Sequence, residues 1–130
     1  MIDHLSLGVG DLARSRAFYD AVLAPLGYVR VYDFDEGSGY GRPEPHPRRE
    51  QALPFWILQH RMVTTNLGLH ICFGAPTRAA VDEFHAAALA AGGTDNGKPG
   101  LRPQYHAQYY AAFVFDPDGH KIEAVRHEPE

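Results

Sequence analysis

DHLSLGVGDLARSRAFYDAVLAPLGY, residues 3–28, is answered later in the chain by LHICFGAPTRAAVDEFHAAALAAGG, residues 69–93. A shift of 66 residues sets His4 on His70, Ser6 on Cys72, Gly8 on Gly74, Phe18 on Phe84 and Leu23 on Leu89. A repeat of this length is a whole supersecondary unit, and two such units bury one shared core. Equivalent positions of a pseudo-twofold structure can converge on one point. Histidines at both equivalent positions therefore make a candidate metal site.

Each unit reads outward from its strand. Residues 2–9 alternate, with Leu5, Leu7 and Val9 on one face and His4, Ser6 and Gly8 on the other. Asp11 predicts an N-cap for a helix over about 12–24, which Pro25 and Gly27 end. Tyr28 to Phe34 reads as a strand, and EGSGYGRPEPHPRRE (36–50) as mostly loop with room for a short strand near Gly39–Gly41. Residues 52–59, containing PFWIL, form a buried strand. In the second unit Leu69, Ile71 and Phe73 oppose His70, Cys72 and Gly74, and Thr77 caps a helix over about 78–91 that Gly92-Gly93 stops. Residues 94–108 read as a loop. Strands follow at about 109–115 and 120–126, joined by the turn Asp116-Pro117-Asp118-Gly119. One helix and several short-linked strands per half imply an α+β fold, with helices on one face of a mixed sheet.

At 130 residues the chain predicts one domain, about 1–65 and 66–130 being its modules. A net charge of −4 argues against nucleic acid and against an anionic membrane surface. No apolar run reaches the roughly 20 residues of a membrane helix. The start of the chain lacks a signal-peptide layout, and the single cysteine, Cys72, suits a reducing compartment; the expectation is cytoplasmic.

If the helices cover the Leu5 and Ile71 face, His4 and His70 point to the other side of the sheet. The last strand carries Glu123 among apolar neighbours, where a carboxylate is costly unless paired or bound to a cation. Two imidazoles and a carboxylate suit iron, manganese, nickel, cobalt or zinc and leave positions open for substrate.

With these stretches and FVFDPDGHKIEAV (113–125), the chain resembles the vicinal oxygen chelate superfamily, which includes glyoxalase I, bleomycin-resistance proteins, fosfomycin-modifying enzymes and extradiol dioxygenases. The resemblance implies two tandem βαβββ modules in a curved sheet cupping one divalent metal, with His4, His70 and Glu123 as ligands. It implies a small-molecule substrate that chelates the metal through vicinal oxygens, and a homodimer whose sites draw ligands from one chain or from two. Glyoxalase I-like members supply a fourth ligand. The repeat carries Glu123 back to Ile57, and Gln59 or His60 would serve only after a register shift, so three ligands are expected. Dioxygenase- or lyase-like chemistry is the first expectation. Sequestration of an antibiotic without catalysis, epoxide opening of the fosfomycin type and glyoxalase I chemistry are the alternatives.

Around this centre, His106 and Tyr110 are candidates for acid–base work, and Tyr105, Arg102 and Trp56 for substrate contact. His46, His60, His85, His120 and His127 read as surface residues, and Cys72 as a small thiol on the face of His70.

Overall fold

The computed structural model describes residues 1–43 and 53–130. Strands β1 (Leu5–Val9), β2 (Val29–Phe34), β3 (Gly37–Gly41) and β4 (Phe55–Gln59) form one sheet. Its order is β1-β4-β3-β2, with β1 parallel to β4 and the other pairs antiparallel. The second sheet repeats this with β5 (His70–Gly74), β6 (Thr94–Leu101), β7 (Tyr110–Phe115) and β8 (Lys121–Arg126), in the order β5-β8-β7-β6. Helix α1 (Leu12–Leu23) follows β1, and α2 (Arg78–Ala90) follows β5. Each half is therefore βαβββ, and the whole is the expected α+β architecture of two curved mixed sheets. Among the described residues no helix is long and apolar enough to cross a membrane.

Local chemistry starts and stops the helices. The Asp11 carboxylate accepts from Arg14 N at 3.0 Å, and the Thr77 hydroxyl accepts from Ala80 N at 3.0 Å. Each satisfies an amide that the helix cannot, a contribution of about 1 kcal/mol. After α1 the chain makes one 3-10 turn, Ala24–Leu26, and Gly27 closes it at φ 83°, a conformation that costs a side-chain-bearing residue energy.

The repeat places its apolar residues as expected. Leu7 and Val9 of β1 pack with Phe18 and Val22 of α1, and Val81 and Phe84 of α2 join the same core. Phe55 meets Phe73 edge-on at 5.3 Å, tying the first module to the second. Where α2 returns to the sheet, a Cβ on Gly93 would lie 2.8 Å from the Phe18 ring and 2.8 Å from the Phe115 carbonyl. One of those obstacles is backbone, which cannot step aside. Gly93→Ala should therefore lower unfolding free energy by about 1–3 kcal/mol, measured by urea denaturation; an unchanged midpoint would contradict this packing.

Two segments differ from their sequence reading. Residues 94–101 are a strand, not loop: β6 pairs antiparallel with β7, its register slipping twice around Gly97. Glycine and proline mask a strand whose hydrogen bonds come entirely from its neighbour, and Gly97, at φ 150°, takes up the irregularity. The GSGYG run is a complete five-residue strand, β3, rather than a fragment of it. The expected loop over 44–50, with His46, and the start of the strand at residue 52 lie outside the described residues.

Candidate functional site

Strand register decides which side chains share a face. Cys72 stands opposite Glu123 across β5 and β8, and Phe113 stands opposite Glu123 across β7 and β8. His70, Cys72, Glu123 and Phe113 therefore line the concave face of the second sheet, away from α2. In the first sheet the same face carries Ser6, Gly8, Trp56, Tyr32 and Phe34, with His4 just before β1.

Glu123 is the anchor. Only 1% of it reaches solvent. One carboxylate oxygen lies 3.1 Å from His70 Nε2, and the other accepts from the Tyr109 hydroxyl at 2.6 Å. These contacts offset a desolvation cost that would otherwise be several kcal/mol. The donor set also fits a divalent cation: a nitrogen and an oxygen, each about 2.1 Å from one ion and at right angles, stand about 3.0 Å apart. Burial of the sulfur, with Glu123 beside it, pushes the Cys72 thiol up to about 12. Burial and the bond to Glu123 raise the Tyr109 hydroxyl too, so it stays a proton donor across the physiological range. Two clefts meet at His70. An apolar one of about 370 Å³ runs past Leu5, Tyr40, Phe55 and Phe73, and one of about 400 Å³ is walled by Thr64, Thr65, Asn66, His120 and Lys121.

His4 is not with the pair. Its Nδ1 lies 2.6 Å from Asp3, at the exposed outer edge of the first sheet. Among the described residues no three histidine, cysteine or acidic side chains stand together to hold an ion. Of the three candidates, one chain brings together His70 and Glu123 and leaves His4 apart.

The fourth-ligand position is resolved by register. Ser6, the repeat equivalent of Cys72, pairs with Trp56, so the counterpart of Glu123 is Trp56 rather than Ile57. The first module has one residue fewer between its outer strands, which breaks the constant spacing. Ile57 is fully buried in the core. Gln59 accepts from Leu12 N and donates to Gly10 O, bracing the start of α1. The His60 ring lies against Gly8, roughly 13 Å along β1 from His4.

The remaining candidates separate. Arg102 spreads over the Phe113 ring at 5.6 Å, donates to the Lys98 carbonyl, and has no acidic partner among the described residues. Tyr105 packs on Tyr109 at 4.8 Å and is otherwise exposed. Tyr110 turns to the helix side, where its hydroxyl donates to Asp82 at 2.7 Å beneath the Arg78 guanidinium. His106 does not reach Glu123. Its Nδ1 accepts from Gln108 N, leaving Nε2 to donate to His127 Nδ1 at 2.9 Å. The stacked imidazoles abut the Tyr109 ring edge-on, at 5.4 and 5.1 Å.

Two histidines expected at the surface are engaged instead: His85 is buried on Asp95, and the half-buried His120 donates to the Gly8 carbonyl. His127 is exposed, as expected, and accepts from His106. Tyr109 was missed as a partner of Glu123. Strand parity carries its signal, since odd positions from 109 to 115 share the face of Glu123 and even ones face α2.

Comparison with known proteins bears on this arrangement. Residues 1–124 match the sequence model of the Glyoxalase/Bleomycin resistance protein/Dioxygenase superfamily. A protein of Synechocystis sp. (strain ATCC 27184 / PCC 6803 / Kazusa) named as a probable lactoylglutathione lyase is 30% identical, over 95% of this chain and 92% of its own. Among solved structures, a glyoxalase/bleomycin resistance protein from Albidiferax ferrireducens T118 superposes with a TM-score of 0.80 at 34% identity, covering 98% of both chains. A glyoxalase I mutant from Zea mays gives 0.69 at 23% identity; this chain spans 45% of that one, a likeness of fold alone.

Proposed function

Because the chain belongs to the Glyoxalase/Bleomycin resistance protein/Dioxygenase superfamily, we propose that it is a metal-dependent enzyme acting on a small molecule that chelates through two neighbouring oxygens. The observation that carries this reading is the buried Glu123 carboxylate facing His70 Nε2 at 3.1 Å on the concave side of the second sheet. His70 and Glu123 hold one side of the ion, and His4 of a second copy supplies the third ligand in a homodimer. The free edges of β1 and β5, next to those histidines, are where the two chains meet, since an unpaired sheet edge is a liability. A divalent iron, manganese, nickel, cobalt or zinc ion there supplies a Lewis acid that stabilises negative charge developing on the substrate oxygens.

The chain's own residues do the rest. The Tyr109 hydroxyl fixes the orientation of the carboxylate and, through its raised proton affinity, keeps donating to it. Arg102, free of acidic partners among the described residues, pairs with an anionic group of the substrate. Phe113 walls the centre. The Synechocystis relative's printed name favours lyase chemistry. Trp56 at the fourth-ligand position argues against the four-ligand glyoxalase I centre and for a three-ligand site of dioxygenase or lyase type. The cytoplasm, a reducing compartment, suits the single thiol.

The test is metal analysis of tag-free protein purified without oxygen, followed by catechol, hemithioacetal and epoxide substrates. Near-stoichiometric metal that disappears in His70→Ala, with turnover of one substrate class, is expected. Small-molecule binding undiminished after chelation, with no turnover, would establish sequestration instead.

A further inference from the structure

We propose that the concave face of the first sheet is a stacking platform for a planar aromatic ring, so that the substrate is an aryl compound. The inference deepens the functional reading above and rests on it only for the claim that the bound ring belongs to a substrate. The platform itself is made by β2, β3 and β4.

Its floor is the glycine strand. Gly37 and Gly39 of β3 point toward this face, and a Cβ on either would collide: 2.7 Å from Leu58 and 2.8 Å from the Phe34 ring at Gly37, and 2.6 Å from Leu53 and 2.9 Å from the Trp56 ring at Gly39. Without those Cβ atoms the two rings lie directly on the strand backbone, with Leu53 and Leu58 packed beside them. The Trp56 indole N–H donates to the Leu53 carbonyl at 2.9 Å, which fixes the ring before any ligand arrives. Tyr32 and Phe34, both from β2, stand 6.1 and 6.5 Å from it, tilted by 66° and 60°. These spacings and tilts are those of edge-to-face pairs, and a further ring entering the corner finds both a face and an edge to meet.

The outer sides of the rings are open, Tyr32 being 40% and Phe34 38% exposed. These two rings and the half-buried Trp56 together offer on the order of 200 Å². That area matches one face of a bicyclic ring, and it falls well below the roughly 800 Å² per partner of a stable protein interface. Charge points the same way. Arg30 and Asp33 of β2 pair with the opposite side of β3 and lie on the helix face, where Arg30 meets Asp20 at 3.1 Å. The aromatic side therefore carries no charge from these three strands. A quaternary ammonium, the other ligand of aromatic clusters, is disfavoured because no carboxylate of these strands faces the rings to balance its charge.

Trp56 is the chain's single tryptophan and reports directly on the platform. Chelator-treated protein titrated with 2-naphthol should show saturable quenching of tryptophan fluorescence. Phe34→Leu, which keeps an apolar side chain and removes the ring, should weaken the midpoint roughly fivefold. Cyclohexanol and tetramethylammonium should not compete. Absent or non-saturable quenching in the parent protein overturns the proposal, whatever the variant does. Equal affinity in a folded Phe34→Leu, or competition by either control compound, overturns it as well. Because the titration uses metal-free protein, a failed metal analysis beside successful quenching would sink the functional reading and leave the platform standing.

Discussion

Glu123→Gln is expected to abolish stoichiometric metal binding while leaving the metal-free fold as stable as the parent. On the proposed function the two effects separate, because the carboxylate would serve the ion rather than the core. It is 1% exposed, bonded to His70 and Tyr109, and opposite Cys72 and Phe113. A buried carboxylate contributes little net stability, because desolvation cancels most of what its partners return. Glutamine has the same shape. Its carbonyl accepts from Tyr109 and its amide faces the imidazole, so the unfolding free energy should stay within about 1 kcal/mol of the parent. A neutral amide is a far poorer ligand for a divalent cation, and affinity should fall by at least about 100-fold. Tyr109→Phe leaves the ligand in place and frees only its orientation, a loss of roughly 10-fold. Metal content by mass spectrometry and melting of chelated protein read the two quantities independently. Retention of full metal by Glu123→Gln would remove the carboxylate from the centre.

What was legible in the sequence was local. Asp11 and Thr77 cap helices through bonds spanning three residues, so their signal needs no knowledge of the rest of the chain. Gly27 and the Asp116–Gly119 turn are local in the same sense. The illegible parts depend on partners remote in sequence. β6 exists because β7 pairs with it, and TDNGKPGL alone has neither alternation nor strand propensity. The one-residue difference between modules, which puts Trp56 where constant spacing puts Ile57, appears only once β1 is set beside β4. His85 and His120 look like surface residues in the sequence because their partners lie 10 and 112 positions away. The repeat and the burial argument single out His70 and Glu123 separately, while the 53 positions between them hide their contact. His4 sits at a sheet edge beside Asp3, apart from the histidine that the repeat sets it on.

The largest stability loss should come from a residue outside the centre. Asp116, 3% exposed, accepts from the Tyr19 hydroxyl at 2.7 Å and from the amides of Asp118 and His120 at 2.9 Å each. Tyr19 is fully buried, and its hydroxyl is raised well above its ordinary value by that burial and by the Asp116 carboxylate. Next to it, Asp118 accepts from Gly10 N and the Arg14 guanidinium, and His120 donates to the Gly8 carbonyl. The turn of the second module is thereby clasped to the β1–α1 junction of the first. Asp116→Ala leaves three donors without an acceptor, two of them in the turn itself, and should cost about 3–5 kcal/mol, a fall in melting temperature of about 10 °C or more. Tyr19→Phe removes one donor and leaves Asp116 its two amides, so its cost should be only about 1–2 kcal/mol. The order matters more than either value. A clasp organised by the carboxylate requires Asp116→Ala to exceed Tyr19→Phe, and equal losses in urea melts would show that the phenol's packing, not the acceptor, joins the modules.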